Sequence, residues 1–418
     1  MRILLLSPYV PSVRATHAGA VSLAHIVGEI ASRAEVTLVT LRRPEEEDPT
    51  GLEDLCAEVH TVPYGSVRAL GAAGRAGLAA RRATSWLASR ISGRPYFVEK
   101  YSLGSLASLL RGLPASGEFD VAQVEFTMMA QYLPCLRARA RILDLHEVGI
   151  LPAYRDYVNR PRGPGGIRRR NEWLRWVRYE VEACRGFDRV LTVTEKDRRV
   201  LETYGETRNL QVNPHGIDAR DFSPEPEREE PGTIVFVGSF AHAVNVDAVT
   251  WFVREILPLV RRERPEARFL IVGSYPPASV RALAEGDRVV VTGFVDRVQD
   301  YLARAEVFVA PLRVGGGIKI KVLQALSMER SVVTTPVGAD GIDGRDGEHF
   351  QVASDPEAFA RRVLLALADP TLRKRTGRAG RDLVLERYDW KAIGGRFLGI
   401  YKEVLAGKTR GEVRGEAP

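Results

Sequence analysis

The chain has 418 residues, 45% hydrophobic and 27% charged, with a formal net charge of +7. That length predicts two domains, and the composition is that of a globular protein, which excludes a disordered or fibrous chain. No stretch approaches the roughly 20 apolar residues of a membrane span, and the opening run Ile3 to Leu6 is too short for a secretory core. The expectation is therefore a cytoplasmic protein.

The elements follow in chain order. Arg2 to Ser7 reads as a buried strand, Pro8 to Gly19 as a loop, Ala20 to Ser32 as a helix and Val36 to Thr40 as a second strand. Strand, helix, strand implies a parallel unit with a right-handed crossover. Further strands are predicted at Val121 to Val124, Ile142 to Leu145 and Val190 to Val193. Residues 213–233 are rich in Pro, Gly and acids with no periodicity, and mark a boundary. A cleaner alternation follows. Strands are expected at Ile234 to Val237, Phe269 to Val272, Val289 to Thr292, Val307 to Ala310 and Val332 to Thr335. Between them lie helices at Val246 to Arg261, Val298 to Ala305 and Lys319 to Met328. The pattern predicts a doubly wound sheet, whose ligands bind at the carboxyl ends of strands. Helices at Pro356 to Ala368, Thr371 to Glu386 and Trp390 to Leu405 complete the chain, before a polar aperiodic tail expected to be disordered. The domains are 1–214, 215–388 and a terminal segment 389–418, expected to pack back toward the first. Cys56, Cys135 and Cys184 are odd in number and lack metal-ligand spacing, so they read as small buried residues in a reducing compartment.

The most informative segment is PLRVGGGIKIKVLQALSMERSVVTTPVGADGI, residues 311–342. A strand runs into Gly315, Gly316 and Gly317, and a helix is expected from Ile318. Backbone N–H groups at a helix start form an anion site. Lys319 and Lys321 sit where cations are unfavourable to the helix itself, so a bound anion such as a diphosphate is the better account of them. The segment lacks the Gly-Lys-Ser/Thr of a P-loop, and no GxGxxG follows the first strand.

These residues resemble the retaining glycosyltransferases of family 4. The resemblance extends over nearly the whole chain through PYVPSVRATHAGA (8–20), VLTVTEKDRRVL (190–201), NPHGID (213–218), IVFVGSF (234–240) and the 315–342 segment. It implies the α/β GT-B fold, two facing Rossmann-like doubly wound domains with a cleft between them, the second holding a nucleoside diphosphate sugar. It also implies retention of anomeric configuration and no cofactor or bound metal, with basic side chains and helix termini neutralising charge. Two acids with seven residues between them often bracket this region in the family. Here they fall on Gly316 and Gln324. The first matches a branch with a glycine-rich loop, and the second keeps an acceptor for the donor ribose without its charge. Donor contacts carried over are Gly19, Gly238, Asn245, Gly315, Gly316, Gly317, Ile318, Lys319, Lys321 and Gln324. The stretch 239–249 lacks the family's usual Arg and Lys, which puts more of the diphosphate charge on Lys319 and Lys321 and leaves His242 and Asn245 as further polar contacts. At the end of the strand Ile142 to Leu145, His146 is the candidate contact to the transferred sugar, and Glu147 and Asp144 are the alternatives for general-base work.

Residues 65–98 and 160–178 are basic and carry Trp86, Trp173 and Trp176. Such regions read either as interfacial helices on an anionic membrane or as solvated basic faces with core tryptophans. No recognition motif points to nucleic acid. The acceptor is a hydroxyl compound of unspecified kind. The competing readings are a sugar-nucleotide epimerase, a donor-binding scaffold without turnover (motivated by Gln324) and a nicotinamide-dependent oxidoreductase, which the missing fingerprint disfavours.

Overall fold

The computed structural model describes residues 1–15, 18–44, 46, 51–65, 72–115, 117–205 and 209–415. The chain divides into two compact units, Met1–Asn213 with Gly394–Pro418, and Pro214–Ile393.

The strands of the first unit are β1 (Arg2–Ser7), β2 (Glu35–Arg42), β3 (Glu58–Pro63), β4 (Phe119–Glu125), β5 (Ala138–Leu145), β6 (Arg189–Thr192) and β7 (Leu210–Val212). They form one parallel sheet in the order β3-β2-β1-β4-β5-β6-β7. Runs such as Ile3 to Leu6 and Ile142 to Leu145 are buried throughout, as expected of parallel strands covered on both faces. The strand order reverses between β1 and β4, which places the sheet's ligand-binding crevice at their carboxyl ends.

The second unit carries β8 (Thr233–Val237), β9 (Arg268–Val272), β10 (Val289–Gly293), β11 (Val307–Ala310), β12 (Ser331–Thr334) and β13 (Gln351–Val352), in the parallel order β10-β9-β8-β11-β12-β13. Alternation along β8 feeds two cores. Ile234 and Phe236 join Phe252, Phe269 and Phe359 on one face. Val235 and Val237 join Phe308, Leu323 and Leu326 on the other. Here the order reverses between β8 and β11.

Several elements depart from expectation for identifiable reasons. β3 is polar and β7 and β13 are only three and two residues long, too short or mixed to stand out as apolar runs. The single helix expected over Val246 to Arg261 is Ala243–Trp251, a π-turn Phe252–Ile256 and Leu257–Glu263. Pro258 has no N–H to give to the preceding turn, and the widened turn absorbs that loss, Leu257 N bonding back to Phe252 O. The tail expected to be disordered continues the last helix, which spans Trp390–Gly415, and Lys408 pairs with Asp188 at 2.8 Å. The three cysteines are buried and unlinked. Among the described residues no helix is long and apolar enough to cross a membrane.

Candidate active site

In the second unit the expected donor-site residues gather at the carboxyl ends of β8 and β11. The glycine loop is possible only because of its composition. Gly315 has φ 147° and Gly317 φ 69°, values that side chains with a Cβ rarely adopt. The loop reaches further than expected, so the helix starts at Ile320 and ends at Ser327, with Lys319 as its extended N-cap. Ile318 is therefore a loop residue. Lys319 turns back and donates to Gly316 O at 3.3 Å and Gly317 O at 2.6 Å.

Lys321 points the other way. Its Nζ donates to Asn245 Oδ1 at 2.6 Å and stands 4.3 Å from the centre of the Phe236 ring. Burial, and then the charge of Lys319, brings its pKa down to about 7. Asn245 is buried and held by its own donation to Ser239 O at 2.7 Å. Room for the ammonium comes from Gly238, where a Cβ would lie 2.5 Å from Lys321 Nζ. Gln324 is half-buried one turn along the same helix face as Lys321. His242 caps the following helix with its backbone and is exposed. The loop is pinned from below by Thr335, whose hydroxyl donates to Leu312 O and accepts from Gly338 N at 3.1 Å. Sequence reasoning missed Phe236 and the pair Arg313–Asp247, joined at 2.5 Å beside Trp251. Gly273, at the end of β9, was legible as a strand-end glycine.

In the first unit Gly19 is not in a loop. It is the second residue of the helix Ala18–Ala31, which the small residues Ala18, Gly19 and Ala20 enter without steric cost. His146 follows β5, and its Nε2 lies 2.7 Å from Glu125 Oε2 at the end of β4. Its ring stacks on Phe126 with centroids 3.8 Å apart. Phe126 has φ 66°, a strained value for an aromatic residue and one found where a site over-determines the backbone. Glu125 is fully buried, and burial pushes its carboxyl up to about 8 against the Gln123 amide, which pulls it down. Gln123 Nε2 donates to Glu125 Oε1 at 2.5 Å, and the Tyr401 hydroxyl donates to Gln123 Oε1. Asp144, the register partner of Glu125, is fully buried with both oxygens lacking a hydrogen-bond partner. Burial first, and Glu125 second, hold it well above the ordinary range. It lies two positions before His146 in the chain, and a carboxylate oxygen of Asp144 stands within 4.8 Å of a ring nitrogen of His146. Glu147 is exposed, yet partial burial of its carboxyl, and then the charge of Asp197, raise its pKa against the pull of Arg155. Sequence reasoning missed Gln123, Glu125 and Tyr401, because only the pairing of β4 with β5 and the return of the last helix bring them to His146.

The turn after His146 is anchored by Glu180, fully buried on the helix Gly163–Gly186. Its carboxylate accepts from Gly149 N at 2.7 Å, Ile150 N at 3.0 Å and Thr127 Oγ1 at 3.0 Å. Replacing Glu180 with Ala strands these buried donors and is expected to cost about 3–5 kcal/mol. Thermal unfolding will read that loss, and Glu180→Gln, which keeps one acceptor oxygen, should fall between.

Residues 231–369 match the family model Glyco_trans_1_4, glycosyl transferases group 1. The second unit is a group 1 glycosyltransferase domain. Among curated relatives, a 44.6 kDa protein of the cps region of Klebsiella pneumoniae is 24% identical over 41% of this chain and 45% of its own length. A GDP-mannose-dependent phosphatidylinositol monomannoside mannosyltransferase of Mycolicibacterium smegmatis is 28% identical over 50% of this chain and 59% of its own. The chain thus spans about half the length of the curated relatives it matches. Sucrose-phosphate synthase from Thermosynechococcus elongatus superposes with TM-score 0.66 at 16% identity, covering 97% of this chain and 100% of that one. WaaG, a lipopolysaccharide glycosyltransferase, gives 0.59 at 16% over 96% and 99%. These likenesses establish the GT-B fold around the group 1 domain.

Proposed function

We propose that this chain moves a sugar from a nucleoside diphosphate donor to a hydroxyl acceptor, with retention of anomeric configuration and no resident metal. The observation that carries the reading is the Lys321 ammonium, enclosed beside a glycine loop and offset by one amide oxygen. An enclosed cation without a counter-charge is costly, and a diphosphate at the adjoining main-chain N–H groups would offset it. Lys319 and the start of the helix Ile320–Ser327 supply the charge neutralisation that a metal gives in other sites. Gln324 would accept from the ribose. In the retaining step the departing phosphate takes the acceptor proton.

The first experiment is a thermal-shift screen with uridine, guanosine, thymidine and adenosine diphosphates and their sugars, since a ligand that binds only the folded state raises the melting temperature. A shift with one base, followed by transfer to an acceptor, is the expected result. No shift with any of them would defeat the reading. Gln324 favours one second reading, a donor-binding scaffold with impaired turnover, which a shift without transfer or donor hydrolysis would support.

A lipid-linked acceptor at an anionic membrane is the finer part of the proposal. Trp173 packs on Tyr154 and Tyr157, and Trp176 lies against Gly149, so these two are structural. Trp86, Leu87 and Ile91 are 50%, 55% and 80% exposed on the helix Ala72–Ser92, with Arg90 over Trp86. That amphipathic, acid-free surface fits an interfacial contact. Co-sedimentation with vesicles containing anionic lipid should fall severalfold in a Trp86→Ser, Ile91→Ser variant. Binding that is unchanged places the contact elsewhere.

A further inference from the structure

Away from the carboxyl ends of its strands, the first unit holds a cavity of about 330 Å³. It lies between the end of the helix Ala72–Ser92, the 3-10 helix Thr127–Cys135 and the helix Gly163–Gly186. Local chemistry makes it. Gly93 takes φ 74°, a value that glycine adopts freely at a helix end, and its N–H donates to Ser89 O at 3.2 Å. The chain turns there, and Arg94 joins the wall. The other two helices touch closely at Gly186, where a Cβ would lie 2.5 Å from Leu133. About one turn earlier, Ala183 meets Ala130, and two methyl groups leave the space unfilled.

The polar side chains that line the cavity keep spare hydrogen-bonding capacity of both kinds. Gln131 Nε2 donates to Val98 O at 3.0 Å and to Met128 O at 2.8 Å. Both of its N–H groups are spent, so Oε1 is left as an oriented acceptor. Arg178 Nε donates to Glu182 Oε1 at 2.8 Å, which leaves the outer N–H groups of Arg178 as donors and Glu182 Oε2 as an acceptor. Among the described residues the Arg94 guanidinium makes no hydrogen bond, and Glu99 stands 3.9 Å from it. Each guanidinium is thus matched by a carboxylate. Ala130, Leu133, Pro134 and Ala183 give the rest of the wall an apolar character.

We infer that this cavity is a saccharide-binding site, separate from the site where transfer is proposed. Charge decides against phosphate, which offers acceptors alone and would meet the carboxylates of Glu182 and Glu99. A sugar hydroxyl donates and accepts through one oxygen. It can use Gln131 Oε1 and Glu182 Oε2 as well as the two guanidinium groups. The carbon-bound hydrogens of a pyranose face then cover the apolar wall. The volume is at the lower end of small-ligand sites and suits a short saccharide. The 3-10 helix starts directly after Phe126, and at a rise of about 2 Å per residue Gln131 is roughly 10 Å along it. An extended saccharide spans that distance, so the cavity can hold the far part of an acceptor. The binding itself does not rest on the transfer reaction.

The test is saturation-transfer NMR on the full chain with the linear trisaccharides of glucose, galactose, mannose and N-acetylglucosamine, each at up to about 10 mM. At least one should bind. Arg94 and Arg178 have side chains 44% and 73% exposed, so the Arg94→Met, Arg178→Met variant keeps the fold. It should weaken that binding about tenfold or more. Glu182→Gln retains an acceptor oxygen and should stay within about threefold of wild type, whereas Glu182→Lys should bind far more weakly. No binding by any trisaccharide overturns the inference. Binding that the double variant leaves unchanged overturns it too, because the saccharide then sits elsewhere. Displacement of the sugar by inorganic phosphate, held more tightly still by Glu182→Lys, would make this an anion site instead. The melting-temperature shift given by nucleoside diphosphates should be the same in every variant. A chain that binds the trisaccharide at this cavity but no donor would lose the proposed reaction and keep the saccharide site.

Discussion

Lys321→Ala is expected to weaken nucleoside diphosphate binding by about 2 kcal/mol, roughly 30-fold, while leaving the free protein as stable as before or more so. A charge-assisted hydrogen bond to phosphate is lost, but so is a largely enclosed cation offset by an amide oxygen and the face of the Phe236 ring, with no counter-charge beside it among the described residues. The pH dependence separates this account from simple loss of shape. Lys321 sits near 7 in the folded chain and at its ordinary 10.5 when unfolded. Between those values the unfolded chain binds the extra proton, so this group makes the fold more stable as pH rises from about 7 toward 10. Below 7 both states hold the proton and the penalty is constant. A bound diphosphate holds the proton on, so above pH 7 donor binding takes up a proton and weakens as pH rises. Calorimetry in two buffers of different ionisation heat should show uptake approaching one proton near pH 8 in the wild type and much less in Lys321→Ala. Equal uptake in both would remove Lys321 from the donor site.

What could be read in the sequence followed from how each feature is encoded. The strands β8, β9 and β11 carry unbroken apolar runs (Ile234 to Val237, Phe269 to Val272 and Val307 to Ala310) that end at glycine or proline, and their length and flanks leave little choice. The glycine loop was legible because three consecutive glycines before a lysine-bearing helix have few other uses. Lys321 and Asn245 were each visible, but their contact joins residues 76 apart, and no local pattern encodes it. The cluster at His146 was less legible still. The Tyr401–Gln123 bond spans 278 positions, and Tyr401 lies in a helix whose apolar spacing reads as ordinary packing. Asp144 had the right chemistry for a base, but its complete burial among Ile142, Leu143 and Leu145 on β5 is read from the apolar run without its partners. Periodicity assigns burial, and it does not say which buried acid meets a substrate.

Two glycines at the ends of neighbouring strands should fail in opposite ways. At Gly273, after β9, φ is 150° and a Cβ would stand 1.9 Å from the backbone oxygen of Gly238. Backbone on both sides cannot yield cheaply, so Gly273→Ala combines torsional strain with overpacking and should cost about 3–6 kcal/mol, lowering the melting temperature by roughly 10 °C or more. At Gly238 the backbone is ordinary, and a Cβ would meet Lys321 Nζ at 2.5 Å and Asn245 Nδ2 at 3.0 Å. Those are the far ends of side chains, and they can move. Gly238→Ala should therefore unfold within about 1 kcal/mol of wild type while pushing the ammonium away from Asn245 and reducing donor affinity about as much as Lys321→Ala. The two changes should not add, because both remove one interaction. Full additivity in the Gly238→Ala, Lys321→Ala double variant would mean that the methyl group acts on the donor directly. A Gly238→Ala protein with undiminished donor affinity would mean that the space beside Lys321 is not where phosphate binds.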